Sequence, residues 1–291
     1  MKIPNIFTKL YKITTKNQPK VAHICLNGVI GKDSRFEKGI NFENVFPLLE
    51  TAFKLKEVKA VAISINSPGG SPVQSELIYN AIRELSEEKQ IPIYTFAQDV
   101  AASGGYWLLL AGDEIYAHNA SIIGSIGVIF SGFGFVDTIK KLGIERRIYT
   151  EGKNKAILDP FLPEEKDNIE ILKNAQKDIF ESFKELVLQR RYGLLKNEND
   201  QILTKNDAFL DEKIFTGAFW SGKTAQKLGL IDEISDLRSK MKQKFGKKIK
   251  IINIETKKSF LKSLFSSKNH DFIGNLLDEV ENHAVFGRFG L

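Results

Sequence analysis

Apolar positions along the chain change period several times between residue 21 and about 160. Residues 21–26, 58–66, 91–97, 114–117 and 146–150 are short runs rich in β-branched side chains and bounded by Gly, Pro or Asn, and they predict strands. Residues 45–55 and 73–85 repeat their apolar positions at steps of three and four and predict helices, with Pro47 confined to a first turn because proline has no N–H to give. Strand and helix in alternation predict an α/β fold with parallel strands joined by crossover helices. A longer stripe through Ile169, Leu172, Ile179, Phe183 and Val187 predicts one helix over about 163–191 with a single buried face. Beyond it, 211–234 reads as strand, turn, helix and short final strand, 248–254 as an isolated strand, and 270–286 as an amphipathic helix. The chain divides into a basic N-terminal segment (1–20), a central domain (21–235) and a basic C-terminal extension (236–291), with no internal repeat.

Charge sharpens that division. The net charge is +6 over 291 residues, yet residues 1–20 hold five lysines and no acid, and 238–268 hold eleven basic residues against Glu255 alone. The body between them is therefore acidic. Basic ends of this kind suit an anionic membrane surface or form a solvated lysine-rich face. Nucleic acid is not expected as a partner, because the lysines lack interleaved aromatics and no zinc-finger or RNA-binding motif accompanies them. Cys25 is the only cysteine, which excludes a disulfide scaffold. Residues 1–21 carry no apolar core of a secretory signal, and the uncharged stretch 116–136 is too rich in Gly and Ser to span a bilayer. These features point to a cytoplasmic protein with peripheral contact at the inner face of the membrane.

The candidate chemistry sits where strands end. Asn66-Ser67-Pro68-Gly69-Gly70 closes the 58–66 strand, and two adjacent glycines there let backbone N–H groups turn toward one point, as an oxyanion requires. A plain Pro-Gly turn is the alternative. Ala101-Ala102-Ser103-Gly104-Gly105-Tyr106 places Ser103 at a helix start, as a nucleophile or as an N-cap. Ala101 stands where the G-x-S-x-G elbow of α/β-hydrolases has its first glycine, so that motif is not met. Serine needs a base, and none of the four histidines has the context: His23 alternates within an apolar strand, His118 is close downstream of Ser103, and His270 and His283 lie in the basic tail. A lysine whose pKa is lowered by burial is the other option, and Lys153 and Lys155 both qualify by composition.

These motifs, taken in order, resemble the signal peptide peptidase A family of serine peptidases, in the Clp protease/crotonase superfamily and in its short single-unit form. The likeness runs over residues 21–234 and adds Gly124-Ser125-Ile126-Gly127-Val128, Lys155 ahead of Asp159-Pro160-Phe161, and a closing Phe215 to Asp232 segment. It implies a repeated β-β-α spiral with a C-terminal helical extension and a Ser-Lys dyad of Ser103 and Lys155. In that likeness Ser125 orients the lysine, and Gly70 and Gly104 form the oxyanion hole with Gly69 shaping its turn. It also implies hydrolysis of hydrophobic peptides such as remnant signal peptides, no metal or organic cofactor, and a homo-oligomer in which Ser and Lys come from different subunits. A crotonase-type acyl-CoA enzyme is the rival, with Asp99 or Asp113 as its acid, and a non-catalytic membrane-associated scaffold is the second. Gly217 to Thr224 satisfies the phosphate-loop spacing G-x-x-x-x-G-K-[ST], but Phe219 and Trp220 inside it and the polar 211–213 before it argue against nucleotide binding.

Overall fold

In a computed structural model, which describes residues 18–31, 39–255 and Phe289, the predicted alternation becomes one sheet. Its strands are β1 (Lys20–Asn27), β2 (Val58–Ser67), β3 (Ile93–Ala102), β4 (Glu114–Ala117), β5 (Ile122–Gly124), β6 (Phe219–Ser221), β7 (Glu233–Ile234) and β8 (Lys250–Asn253). They lie in the order β6-β5-β3-β2-β1-β8, with β4 beside β3 and β7 beside β4. Every strand pairing is parallel except β5 with β6. The central strands are buried on both faces, so β2 reads as a continuous apolar run rather than an alternating one. Each fully buried isoleucine of β2, such as Ile63 or Ile65, contributes roughly 1.5–3 kcal/mol of burial.

Helices α1 (Phe42–Phe53), α2 (Pro72–Lys89), α3 (Gly104–Leu109), α4 (Val136–Lys141), α5 (Lys166–Arg191), α6 (Gly222–Lys227) and α7 (Leu237–Phe245), with a π-helical turn at Leu210–Ile214, complete the described elements. Asn41 caps α1 by accepting from the Asn44 N–H at 2.9 Å. Ser71 caps α2, whose first residue is Pro72. The main core gathers Ile24, Ile63, Ile65, Ile78, Leu108 and Leu109 between the sheet and these helices. A second cluster, including Val21, Ala62, Tyr94, Phe96, Tyr116 and Met241, packs against Leu237 and Phe245 of α7. The C-terminal half of α5 is fixed by Arg191, 3% exposed, which donates to both Asp232 oxygens at 3.0 and 3.1 Å and to the Gly229 carbonyl at 2.8 Å.

Several expectations are corrected. Residues 146–150 form no strand: Tyr149 is 92% exposed, and among the described residues no strand takes the run's backbone bonds. Pro47 lies inside α1, beyond its first turn. Its burial-facing neighbours Val45 and Leu49 keep the helix docked despite the missing N–H. Asp211 belongs to a π-helical turn, Leu210–Ile214, and the strand expected there arrives only at β6. Residues 248–254 are not isolated, since β8 pairs in parallel with β1. The basic segment is not wholly solvated either. Lys240 lies 5.1 Å over the Tyr116 ring and pairs with Glu233. Lys244 lies 4.7 Å over Tyr94 and pairs with Glu114, so both anchor α7 through their stems as well as their charges. The helix expected at 270–286 and the segment 1–17 lie outside the described residues.

Candidate active site

Ser103 stands at the junction of β3 and α3 with φ +52° and ψ −122°, a conformation in which a side chain at Cα is strained by about 1–3 kcal/mol. Its N–H donates to the Gly124 carbonyl at 2.8 Å, and its own carbonyl accepts from Trp107 N–H at 3.0 Å. No side-chain capping bond forms, so the N-cap role is not taken. Glycine is required around it by close approach. A Cβ on Gly105 would lie 2.5 Å from the Ser67 carbonyl oxygen, and one on Gly104 would lie 2.5 Å from Ser75 Oγ. These contacts hold the half-buried serine in its turn.

The Gly69-Gly70 turn lies directly against it. A Cβ on Gly69 would meet Ser103 Cβ at 2.8 Å and Gly104 N at 3.1 Å, and the Gly70 nitrogen is 3.5 Å from the position of a Gly104 Cβ. Ile30 N–H donates to Gly69 O and Ser71 N–H to Ile30 O, pinning the turn on both sides. Gly69 N–H is spent on Ser67 Oγ at 3.2 Å. Among the described residues, the Gly70 and Gly104 N–H groups are left without acceptors.

Ser125 follows β5 as Ser103 follows β3, again at φ +52°, and its N–H donates to the Ala218 carbonyl at 2.7 Å. Trp220 of β6 lies against Gly124, where a Cβ would be 2.7 Å from its ring. The structure thus brings Ser103, Ser125, Gly69, Gly70 and Gly104 together.

Lys155 is hydrogen-bonded to none of them. It lies exposed in a turn, and its ammonium makes no hydrogen bond or ion pair with another described residue. Lys153 pairs with Asp167 at 3.4 Å, both ends exposed. The segment carrying them, residues 128–165, is closed on itself. Phe135 N–H donates to Pro160 O at 2.6 Å, and Arg146 donates to Asp159 at 2.7 Å while lying 5.6 Å over the Phe161 ring. The Arg146 hydrogen bond, with a second from Phe161 N–H, holds the Asp159 carboxyl below the usual carboxylate range. Along this arm Ile129, Phe133, Leu142 and Tyr149 are 68%, 81%, 68% and 92% exposed. The arm therefore presents several large apolar side chains to solvent.

The other candidates fall into structural places. Asp113 accepts from Ile93 N–H at 2.8 Å and from Arg83 at 2.7 Å. His23 bridges Ser64 at 2.9 Å and Asn253 at 3.0 Å. In the phosphate-loop lookalike, Ser221 Oγ already takes the Thr224 N–H at 3.3 Å, and a Cβ on Gly222 would strike the His118 carbonyl oxygen at 2.0 Å. Asp99 is exposed beside Asn66. Sequence alone gives Asn66 no role of its own, although it opens the Ser-Pro-Gly-Gly motif. Its side chain accepts from Val100 N–H at 3.1 Å.

A strained, half-buried serine at the end of a parallel strand, beside two N–H groups without acceptors among the described residues, is an arrangement of serine hydrolases built on α/β sheets. Comparison with known proteins narrows the class. Residues 86–248 match Peptidase family S49. The chain is 44% identical over 256 residues to a Brucella abortus protein named Na(+)/H(+) antiporter NhaA, covering 84% of this chain and 33% of that one. It is 30% identical over 253 residues to the chloroplastic serine protease SPPA of Arabidopsis thaliana, covering 82% of this chain and 35% of that one. It is 27% identical over 270 residues to Protease 4 of Haemophilus influenzae, covering 91% and 40%. The chain belongs to peptidase family S49. It spans well under two thirds of the length of these relatives. No helix among the described residues is long and apolar enough to cross a membrane.

Proposed function

We propose that this chain is a serine endopeptidase in which Ser103 is the nucleophile and neutral Lys155 the general base. Lys155 takes the Ser103 proton as Oγ attacks the peptide carbonyl, then returns it to the leaving amine. A water activated by the same lysine hydrolyses the acyl-enzyme. The Gly70 and Gly104 N–H groups hold the oxyanion, Gly69 shapes their turn, and Ser125 orients the lysine. The observation that carries this reading is the strained Ser103 lying against a turn whose Gly70 N–H, like that of Gly104, has no acceptor among the described residues.

Two features support a shared site in a homo-oligomer. The Lys155 side chain is exposed and has no partner among the described residues, and the arm that bears it presents apolar side chains to solvent. A neighbouring copy would cover that surface and receive the lysine beside its own Ser103 and Ser125. Hydrophobic peptides, including remnant signal peptides, are the proposed substrates. The exposed lysines Lys242, Lys247 and Lys248 support peripheral contact with anionic lipid on the cytoplasmic side. Labelling with a fluorophosphonate, located by peptide mapping, tests the assignment: modification at Ser103 with loss of peptide hydrolysis is expected, and a folded, unlabelled protein without hydrolysis would overturn it.

A further inference from the structure

Strand β3 changes neighbours along its length: residues 94–96 pair with β4, and residues 100–102 pair with β5. The change occurs at an irregularity against β2. Pairing advances from Ile65 with Ala97 to Ser67 with Ala101, so Asn66 alone faces Gln98, Asp99 and Val100. This is a bulge with extra residues on β3, a device that bends a strand and re-aims the residues beyond it. Gln98 and Asp99 are turned out to solvent, whereas Val100, Ala101 and Ala102 are fully buried.

A bulge leaves a rung of the ladder unmade, and a buried N–H then needs another acceptor. Here Asn66 Oδ1 accepts from Val100 N–H at 3.1 Å, and Asn66 Nδ2 donates to the Asp99 carboxylate at 3.4 Å. The Asn66 backbone carbonyl is occupied elsewhere, by Gly28 N–H at 3.0 Å. One carboxamide therefore supplies the missing acceptor and ties down the residue that was expelled. Only one orientation of that amide satisfies both partners. Three residues beyond Val100 comes Ser103, whose N–H reaches Gly124 on β5. The point at which the serine leaves the sheet is set by the register of 100–102 on β5.

We propose that Asn66, braced by Asp99, is a positioning residue for Ser103: it locks the bulge that transfers β3 from β4 to β5 and so sets the serine against the Gly70 and Gly104 N–H groups. This rests on the reading of Ser103 as nucleophile. An aspartate at position 66 would still accept from Val100, but it would face Asp99 with like charge. Exchanging the pair, with aspartate at 66 and asparagine at 99, restores one acceptor and one donor across the same gap.

The test compares wild type, Asn66→Asp and the double variant Asn66→Asp/Asp99→Asn in kcat and KM on an apolar peptide, fluorophosphonate labelling rate and hydrogen exchange at the Val100 amide. The single variant should lose roughly tenfold to a hundredfold in kcat and labelling rate, with KM little changed. The double variant should return to within about threefold of wild type. If the single variant does not fold, the double variant decides alone, by reaching that rate or failing to. A single variant as reactive as wild type, or a double variant no faster than the single, overturns the proposal. Wild type that does not label at Ser103 overturns the nucleophile reading instead, and exchange still decides the bulge. Slow exchange in wild type and the double variant with fast exchange in the single supports it, and equal rates in all three overturn it.

Discussion

Ser103 and Ser125 leave adjacent parallel strands at the same register. Each follows one member of the pair Ala102 with Gly124, each has φ +52°, and the N–H of the first is bonded to the carbonyl just before the second. Two strained serines at one point of a sheet are costly, and such strain persists where the surrounding structure over-determines it.

Ser103→Ala should lower peptide hydrolysis by at least about a thousandfold while leaving the fold intact. Ser103→Gly should be equally inactive yet more stable than Ser103→Ala, by about 1 kcal/mol, because glycine adopts a positive φ without strain. Thermal unfolding of the two variants should differ by roughly 2–4 °C. A lower midpoint for the glycine variant would contradict the strain argument.

Lys155→Ala should be inactive and Lys153→Ala active, since the latter lysine is engaged at the surface with Asp167. Mixing the inactive Ser103→Ala and Lys155→Ala proteins under exchange conditions should recover about a quarter of wild-type activity, the random fraction of sites pairing an intact serine with an intact lysine. No recovery from a demonstrably mixed oligomer would place both residues in one chain.

Gly70→Ala should cost both stability and activity. Its Cβ would fall 2.1 Å from the Ile30 carbonyl oxygen at φ +144°, which forces the turn to move and takes the Gly70 N–H with it. The expected loss is at least about a hundredfold in kcat, with a smaller change in KM. A variant that folds and retains kcat would remove Gly70 from the oxyanion site.

Activity should rise with pH, because a lysine base works only after losing its proton, and should show no limb near the ordinary histidine value of about 6.5. A limb there, abolished by His118→Gln, would point to a histidine base. The arm has its own acid limit. Asp159 is held below its ordinary 3.8 by Arg146, so its stabilising pair is fully present above that value and is lost as pH falls through the lowered one. Arg146→Ala should raise the Asp159 pKa in an NMR titration. It should reduce kcat/KM by about tenfold with little change in unfolding midpoint, since a surface pair contributes little to global stability.

The amino-acid sequence alone determined the central strands, because residues such as Ile63 and Ile65 have no alternative to burial. It also determined the motif glycines, because Gly69 and Gly70 occupy backbone positions that side chains cannot. Both are local consequences of hydrophobicity and steric exclusion. What the sequence could not determine depends on partners distant along the chain. The run at 146–150 has strand composition but no neighbour to pair with among the described residues, while β8, solitary in sequence, pairs with the free edge of β1. Lys240 and Lys244 have the pattern of surface charges, yet α7 lays their stems on Tyr116 and Tyr94. Asn66 and Asp99 stand 33 positions apart, and only tertiary structure joins them across the bulge, because a missing ladder bond must be replaced by whatever polar group the fold brings within reach.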